Sequence, residues 1–323
     1  MSDVAIGVDV GGTKALALVV ARDGRVLGEA KAATPHDATR QAGEATAAAL
    51  TDLVQRLAAT HGLTVSATPV GVGLPGLMRK DGRLAFAPNL QSASGADLGS
   101  LLCTSLASSR VFCENDANCA AVAEHEWGAG RGVDDFVMVT LGTGIGGGII
   151  ADGKLLQGRS SFAGEIGHMV VEAHGIPCPC GGMGCWERYA SGSGLRRLIR
   201  EAAKEGHLPV LLGAHGSAED IRPEDVTRAG AEGVDEAIDL LRQISWWLAL
   251  GLSNLVAILD SGHFVIGGGL SSASDLVLPF TREYLANLVE GYRSRPAITV
   301  STSMFGPRSG AMGAALIAFE RDS

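Results

Sequence analysis

One pattern occurs twice in this chain. The first copy is Ile6-Gly-Val-Asp9-Val-Gly11-Gly12-Thr13-Lys14, then an apolar stretch to Val20, then Asp23-Gly24-Arg25-Val26-Leu27. The second is Val137-Met-Val-Thr-Leu-Gly142-Thr143-Gly144-Ile-Gly146-Gly147-Gly148, then Ile149-Ile150, then Asp152-Gly153-Lys154-Leu155-Leu156. Each reads strand, Gly-rich turn, strand, Asp-Gly turn, strand, because short apolar runs bounded by Asp-Gly are hairpin signals. A unit repeated at this separation predicts two lobes built on one plan. Two Gly-rich hairpins facing each other across a cleft would suit a phosphate ligand gripped from both sides.

The segments between and after the hairpins alternate. Residues 38–60 are Ala-rich and predict a long helix; Val70 to Leu74 predicts a buried strand ending at Pro75-Gly76. Val111 to Cys113 predicts a short strand, followed by Glu114-Asn115-Asp116-Ala117-Asn118 opening an Ala-rich helix. Helices are predicted over 191–206, 225–232, 234–256 and 311–321, and a strand from Leu259 to Ile266 leading into Gly267-Gly268-Gly269. This βαβ-like alternation places the chain in the α/β class with a mixed sheet in each lobe.

A length of 323 residues suits two domains. The net charge of -9 argues against a nucleic-acid partner, since phosphate neutralisation needs a basic surface. Ile244 to Leu259 is strongly apolar but shorter than the roughly 20 residues of a spanning helix, which predicts a buried helix and no membrane partner. Met1-Ser2-Asp3-Val4 leads straight into a strand pattern, with no leader-like stretch. Cys103, Cys113 and Cys119 sit among apolar or small residues and read as reduced thiols, pointing to the cytoplasm.

Residues 165–187 carry the densest chemistry. Glu165-Ile-Gly-His168 and Cys178-Pro-Cys180-Gly-Gly-Met-Gly-Cys185-Trp-Glu187 place one His and three Cys between two carboxylates. Four such donors fill a closed tetrahedral zinc site, leaving no open position for a water, so the expected role is structural. Gly181, Gly182 and Gly184 let the backbone turn tightly enough for the thiolates to converge. A disulfide pair is the plainer alternative. Glu165 and Glu187 could accept hydrogen bonds from the hydroxyls of one polyol, and His168 could bind zinc through one ring nitrogen while offering the other to substrate.

The Asp9-x-Gly11-Gly12-Thr13 turn offers N–H groups and a hydroxyl to a phosphate, with an acid placed for hydrated Mg²⁺. Alone, this turn or Gly142-Thr143-Gly144 is weak; with Gly267-Gly268-Gly269 they favour a nucleotide. Asn115-Asp116 is the candidate reacting centre. A carboxylate after a buried strand can accept a sugar hydroxyl's proton during attack on a γ-phosphoryl group. An N-cap is its structural alternative. Asn89, in Ala87-Pro88-Asn89-Leu90, is a further polar candidate or an ordinary loop residue.

Asp9-x-Gly-Gly-Thr-Lys14, Glu114-Asn-Asp-Ala-Asn118, Leu141-Gly-Thr-Gly-Ile-Gly-Gly-Gly148, Gly164-Glu-Ile-Gly-His168 and Cys178-x-Cys-Gly-x-x-Gly-Cys-x-Glu187 together resemble the ROK family of sugar kinases and sugar-responsive repressors. Gly184-Cys-Trp-Glu-Arg-Tyr-Ala-Ser-Gly192 is most similar to its bacterial glucokinases. The resemblance implies the actin/hexokinase-like (ribonuclease-H-like) two-lobed fold with a cleft between lobes. It implies a small lobe over 1–114, onto which a helix at about 308–323 packs back, and a large lobe over 115–307. Asp116 would be the catalytic base. Gly76, Asn89, Asn115, Asp116, Glu165, His168 and Glu187 would surround the sugar. Asp9, Gly11, Gly12, Thr13, Lys14, Gly142, Thr143, Gly144, Gly267, Gly268 and Gly269 would line the ATP site. His168, Cys178, Cys180 and Cys185 would hold structural Zn²⁺.

The implied activity is ATP- and Mg²⁺-dependent phosphorylation of glucose to glucose 6-phosphate by a homo-oligomer, a dimer or tetramer. N-acetylglucosamine, N-acetylmannosamine, mannose or fructose as acceptor, and polyphosphate as donor, are the alternatives within the class. The sugar-sensing repressor reading would need a helix-turn-helix domain before the hairpin that begins at Ile6. Two positions depart from the family pattern: Asp260-Ser261 stands where many relatives carry Asp-Pro, and a Trp often found after Asn89 is missing.

Overall fold

The computed structural model describes residues 2–35, 43–88, 90–269 and 273–322. The chain divides into two compact units. One comprises Met1–Met138, Gly147–Gly164 and Ser303–Ser323; the other comprises Val139–Gly146 and Glu165–Thr302.

In the first unit the repeated hairpin forms β1 (Val4–Val10), β2 (Lys14–Ala21) and β3 (Val26–Ala33), joined antiparallel. Helix α1 (Glu44–Thr60) follows; residues 38–42 of the predicted helix lie outside the described residues. β4 (Val70–Leu74) then enters parallel to β1. A small hairpin of β5 (Leu77–Met78) and β6 (Leu84–Phe86) and helix α2 (Leu98–Ser105) come next. β7 (Val111–Asn115) lies parallel to β4 and runs directly into α3 (Asp116–Glu126). The sheet order is β3-β2-β1-β4-β7.

Both faces of this sheet are covered, so its central strands are apolar throughout. Ile6, Val8 and Val10 join Leu50, Leu53, Val54 and Leu57 of α1 in one core. Ala5, Leu18 and Val20 pack with Met312, Ala315 and Phe319 of the C-terminal helix Ser309–Arg321 in another. Gly7 and Gly71 permit that second contact. A Cβ on either would overlap the carbonyl of Ala311 or Ala314, so the helix rests on the strand backbone.

The second copy supplies β8 (Phe136–Leu141), β9 (Ile145–Ala151) and β10 (Lys154–Leu155). Helices α4 (Glu187–Ala190), α5 (Gly192–Lys204), α6 (Pro209–His215), α7 (Pro223–Ala231) and α8 (Asp235–Leu259) follow. Then come β11 (His263–Gly267), α9 (Ser274–Leu288) and β12 (Thr299–Thr302). The order β10-β9-β8-β11-β12 reproduces that of the first sheet, with β11 and β12 parallel as β4 and β7 are. The two lobes therefore share one plan, as the repeat predicts.

One segment differs from the sequence expectation. The apolar run entering Leu259 prolongs α8 instead of starting a strand. Asp260, at φ 52°, ends the helix in the left-handed conformation that short polar side chains tolerate, and the strand begins at His263. Helix α9, which no sequence expectation covers, contains Pro279 without interruption. Among the described residues no helix is long and apolar enough to cross a membrane.

Candidate functional site

In the first unit β1, β4 and β7 run parallel, and their register aligns Asp9 with Gly73 and Gly73 with Glu114. Asp9 and the Asn115-Asp116 junction thus lie at the carboxyl ends of strands two places apart, with about 10 Å between strand axes. That edge is where α/β sheets present ligand groups.

Asn115 ends β7 and caps α3. Its Oδ1 accepts from the Ala117 and Asn118 N–H groups at 2.9 and 3.0 Å, and its Nδ2 donates to the Gly76 carbonyl at 3.1 Å. The capping alternative is therefore correct for Asn115, and it fixes Asp116 as the first helical residue. Asp116 Oδ1 accepts from the Ala117 N–H at 2.8 Å, and Oδ2 has no hydrogen bond among the described residues. Gly76, at φ 104°, must be glycine: a Cβ there would meet the Phe86 carbonyl at 2.2 Å.

Both acids retain some open surface within a dense surround of protein. Burial, and then the charge of Asp9, pushes the Asp116 carboxyl up to about 7 against the pull of the Ala117 N–H. Burial alone pushes Asp9 up to about 6. The Asp9 carboxylate has no hydrogen bond among the described residues, and Gly310 of the C-terminal helix lies against it. An open, unpaired carboxylate of this kind is a fitting oxygen donor for hydrated Mg²⁺.

Beside Asp116 stands Glu114, which is buried and fully engaged. Its Oε1 accepts from the Asn115 N–H at 3.0 Å and from Asn118 Nδ2 at 3.2 Å. Its Oε2 accepts from Gln157 Nε2 at 2.7 Å and Arg321 Nη2 at 2.8 Å. Neither Gln157 nor Arg321 is legible as a partner in the sequence, since both meet Glu114 only through the tertiary fold.

The Asp9–Lys14 turn closes through the Gly11 N–H donating to the Lys14 carbonyl at 2.9 Å. Thr34 at the end of β3 braces it, donating its hydroxyl to the Gly11 carbonyl at 2.7 Å and its N–H to the Thr13 carbonyl at 3.0 Å. Gly11 and Gly12 are half-buried, while Thr13 and Lys14 are exposed.

In the second unit His168, Cys178, Cys180 and Cys185 come together, with their ligating atoms all within 4.8 Å of one another. Cys180 and Cys185 sulfurs are 3.7 Å apart, and Cys178 Sγ lies 3.9 Å from His168 Nδ1. An ion about 2.3 Å from each of two sulfurs at a tetrahedral angle would separate them by about 3.8 Å. All six cysteines are free, so no disulfide competes. The donor set fits zinc.

Local geometry explains the convergence. Gly181 and Gly184 take φ of 95° and 72°, and a Cβ on Gly184 would overlap the Glu172 carbonyl. Trp186, fully buried, anchors the end of the block: its Nε1 donates to the Trp247 carbonyl at 2.7 Å, and Gly251 of α8 leaves room for its ring. Glu187 Oε1 lies 3.1 Å from Cys178 Sγ and 3.9 Å from His168 Nδ1, while His168 Nε2 lies 4.0 Å from Glu165 Oε2. The two carboxylates therefore flank the cluster, as their place in the sequence predicts.

The same unit gathers the later Gly-rich turns. Gly268, at φ 85°, lies against the Leu141 backbone, where a Cβ would come within 2.5 Å of the carbonyl. Gly267 ends β11 and is buried, and Gly269 is exposed. The Gly142 N–H donates to the Gly144 carbonyl at 3.0 Å. Asn89 lies outside the described residues.

The ROK family model matches residues 5–321. A glucokinase of Streptomyces coelicolor is 36% identical over 330 residues, covering 98% of this chain and 98% of that protein. An N-acetylmannosamine kinase of Shigella boydii is 32% identical over 320 residues, covering 97% of each. The crystal structure of a ROK family glucokinase from Streptomyces griseus in complex with glucose and AMPPNP has a TM-score of 0.88 at 36% identity, covering 98% of this chain and 99% of that one. This chain belongs to the ROK family and has its two-lobed actin/hexokinase-like fold.

Proposed function

We propose that this chain, an ATP-dependent hexose kinase, transfers the γ-phosphoryl group of ATP to the 6-hydroxyl of glucose with Asp116 as general base. The observation that carries the reading is Asp116 itself. Asn115 fixes it at the start of α3, one oxygen is left without a hydrogen bond among the described residues, and its pKa is raised to about 7. A base needs its pKa near the working pH to be both ionised and able to take a proton. The likeness to glucokinases, one of them solved with glucose and AMPPNP, supports glucose as the acceptor.

In this mechanism Asp116 accepts the 6-hydroxyl proton as O6 attacks the γ-phosphorus. The bond from that phosphorus to the β–γ bridging oxygen breaks, and ADP leaves. The N–H groups of Gly12 and Thr13, the Thr13 hydroxyl and Lys14 bind phosphate, with Gly11 shaping the turn; Gly142 to Gly144 and Gly267 to Gly269 receive the rest of the nucleotide. Mg²⁺ bound with ATP supplies charge neutralisation of the transferring group, with Asp9 as the carboxylate offered to its hydration shell. Gly76, Asn89, Asn115, Glu165, His168 and Glu187 accept or donate hydrogen bonds to the sugar hydroxyls. His168, Cys178, Cys180 and Cys185 hold zinc as scaffold, which keeps His168 and Glu187 in place.

The test is a panel of glucose, mannose, fructose, N-acetylglucosamine and N-acetylmannosamine against ATP and polyphosphate, with the product's phosphorylated position read by NMR. Glucose 6-phosphate formed from ATP with the highest kcat/KM is expected. No turnover of glucose would refute the glucose assignment, and no turnover of any hexose with ATP would refute the kinase.

A further inference from the structure

The Gly142–Gly144 turn is held by the segment that follows Glu187. The Gly192 N–H donates to the Gly142 carbonyl at 2.9 Å, and the Ser193 N–H to the Thr143 carbonyl at 3.2 Å. Between these bonds sits the fully buried Ser191 hydroxyl, 2.9 Å from the Thr143 carbonyl and 2.5 Å from the Glu187 carbonyl. It also accepts from the Gly194 N–H at 3.3 Å and shares a hydrogen bond of 2.9 Å with the Ser193 hydroxyl, which donates to it when the Ser191 proton is on a carbonyl. At the turn's far end the Glu187 carboxylate packs on Gly144, where a Cβ would sit 2.2 Å from Oε2. A hydroxyl carries one proton, so Ser191 donates to only one of its two carbonyls at a time.

We propose that Ser191 is a positioning residue that couples nucleotide binding to hexose binding, its single proton shared between the Gly142–Gly144 turn and the main chain of Glu187. This rests on the reading that the turn receives part of the nucleotide and Glu187 receives the hexose. A nucleotide held by the turn orders the Thr143 peptide. That order reaches Glu187 by two routes, the Ser191 hydroxyl to its backbone and Gly144 to its carboxylate. Coupling of this kind is reciprocal, so hexose tightens nucleotide by the factor that nucleotide tightens hexose.

Two measurements test it on the full chain: glucose affinity by calorimetry with and without saturating ADP, and hydrogen exchange at the amides of 142–144. In the wild type, ADP is expected to slow exchange in the turn and to tighten glucose about fivefold or more. Ser191→Ala is expected to lose most of that tightening, with KM for ATP raised roughly three- to tenfold, the range for one lost hydrogen bond. Ser191→Cys, which keeps the side chain's shape but donates weakly, should behave alike.

A wild-type coupling factor in Ser191→Ala, with ADP still protecting the turn, overturns the inference alone. A wild-type protein whose turn ADP does not protect overturns the nucleotide site as well.

Discussion

The charge on Asp9 acts on Asp116 across a single intervening strand. Asp9 of β1 aligns with Gly73 of β4, and Gly73 with Glu114 of β7, two residues before Asp116. Burial is the larger cause of the raised Asp116 pKa, and repulsion by Asp9 adds to it. Gly73 makes the arrangement compact: a Cβ there would touch the Asp116 Cα at 3.4 Å.

The pH dependence of turnover follows from that pair. Asp116 must be ionised to act as a base, and its carboxyl sits at about 7. The kcat/KM for the hexose should therefore rise with pH and level off above an inflection near 7, since this ratio reports the free enzyme. A profile flat from about pH 5 to 8 would remove Asp116 from that role.

Stability should show the opposite slope. A carboxyl whose folded pKa of about 7 lies above the ordinary value of 3.8 binds its proton more tightly in the folded state. Its favourable contribution is complete below the ordinary value and is lost as pH rises through about 7. Asp116→Asn deletes this titration, so its Tm relative to the wild type should increase between about pH 5 and pH 8. Calorimetric scans at the two pH values measure it.

Metal and hexose should be lost together. The purified protein is expected to carry one zinc per chain, and Cys180→Ala to carry much less. Because Glu187 lies 3.1 Å from Cys178 Sγ, loosening the block should weaken glucose binding as well as lower Tm. Metal analysis, calorimetry and thermal unfolding on one preparation read all three. Wild-type glucose affinity and Tm in a zinc-free Cys180→Ala protein would contradict the structural role.

Glu124 should matter to folding more than to chemistry. Fully buried at the far end of α3, it accepts from Ser303 and Ser309 hydroxyls at 2.6 and 2.9 Å and from the Met304, Phe305 and Ala129 N–H groups at 2.9–3.1 Å. Glu124→Ala leaves these donors without their acceptor and is expected to cost about 3 kcal/mol or more, read from urea unfolding.

What could be read from the sequence was local. The duplicated hairpin sets both sheets because each copy is a contiguous run of strand and turn signals. The Cys178–Cys185 hairpin needs only its own glycines to bring its thiols together. Asp116 was legible for the same reason, lying where an apolar strand meets an Ala-rich helix. Gln157 and Arg321 were not, because they reach Glu114 from 43 and 207 residues away. Nor was Ser191, which reads as an ordinary N-cap until the fold brings Thr143 to it.

The most direct test of the proposed chemistry is the turnover of Asp116→Asn at saturating ATP and glucose, with glucose affinity measured by calorimetry on the same protein. Glucose should still bind within a few-fold of the wild type while kcat falls roughly 10²- to 10⁴-fold, the contribution of a positioned general base. A variant that binds glucose and turns over at the wild-type rate would contradict the assignment of Asp116 as the base.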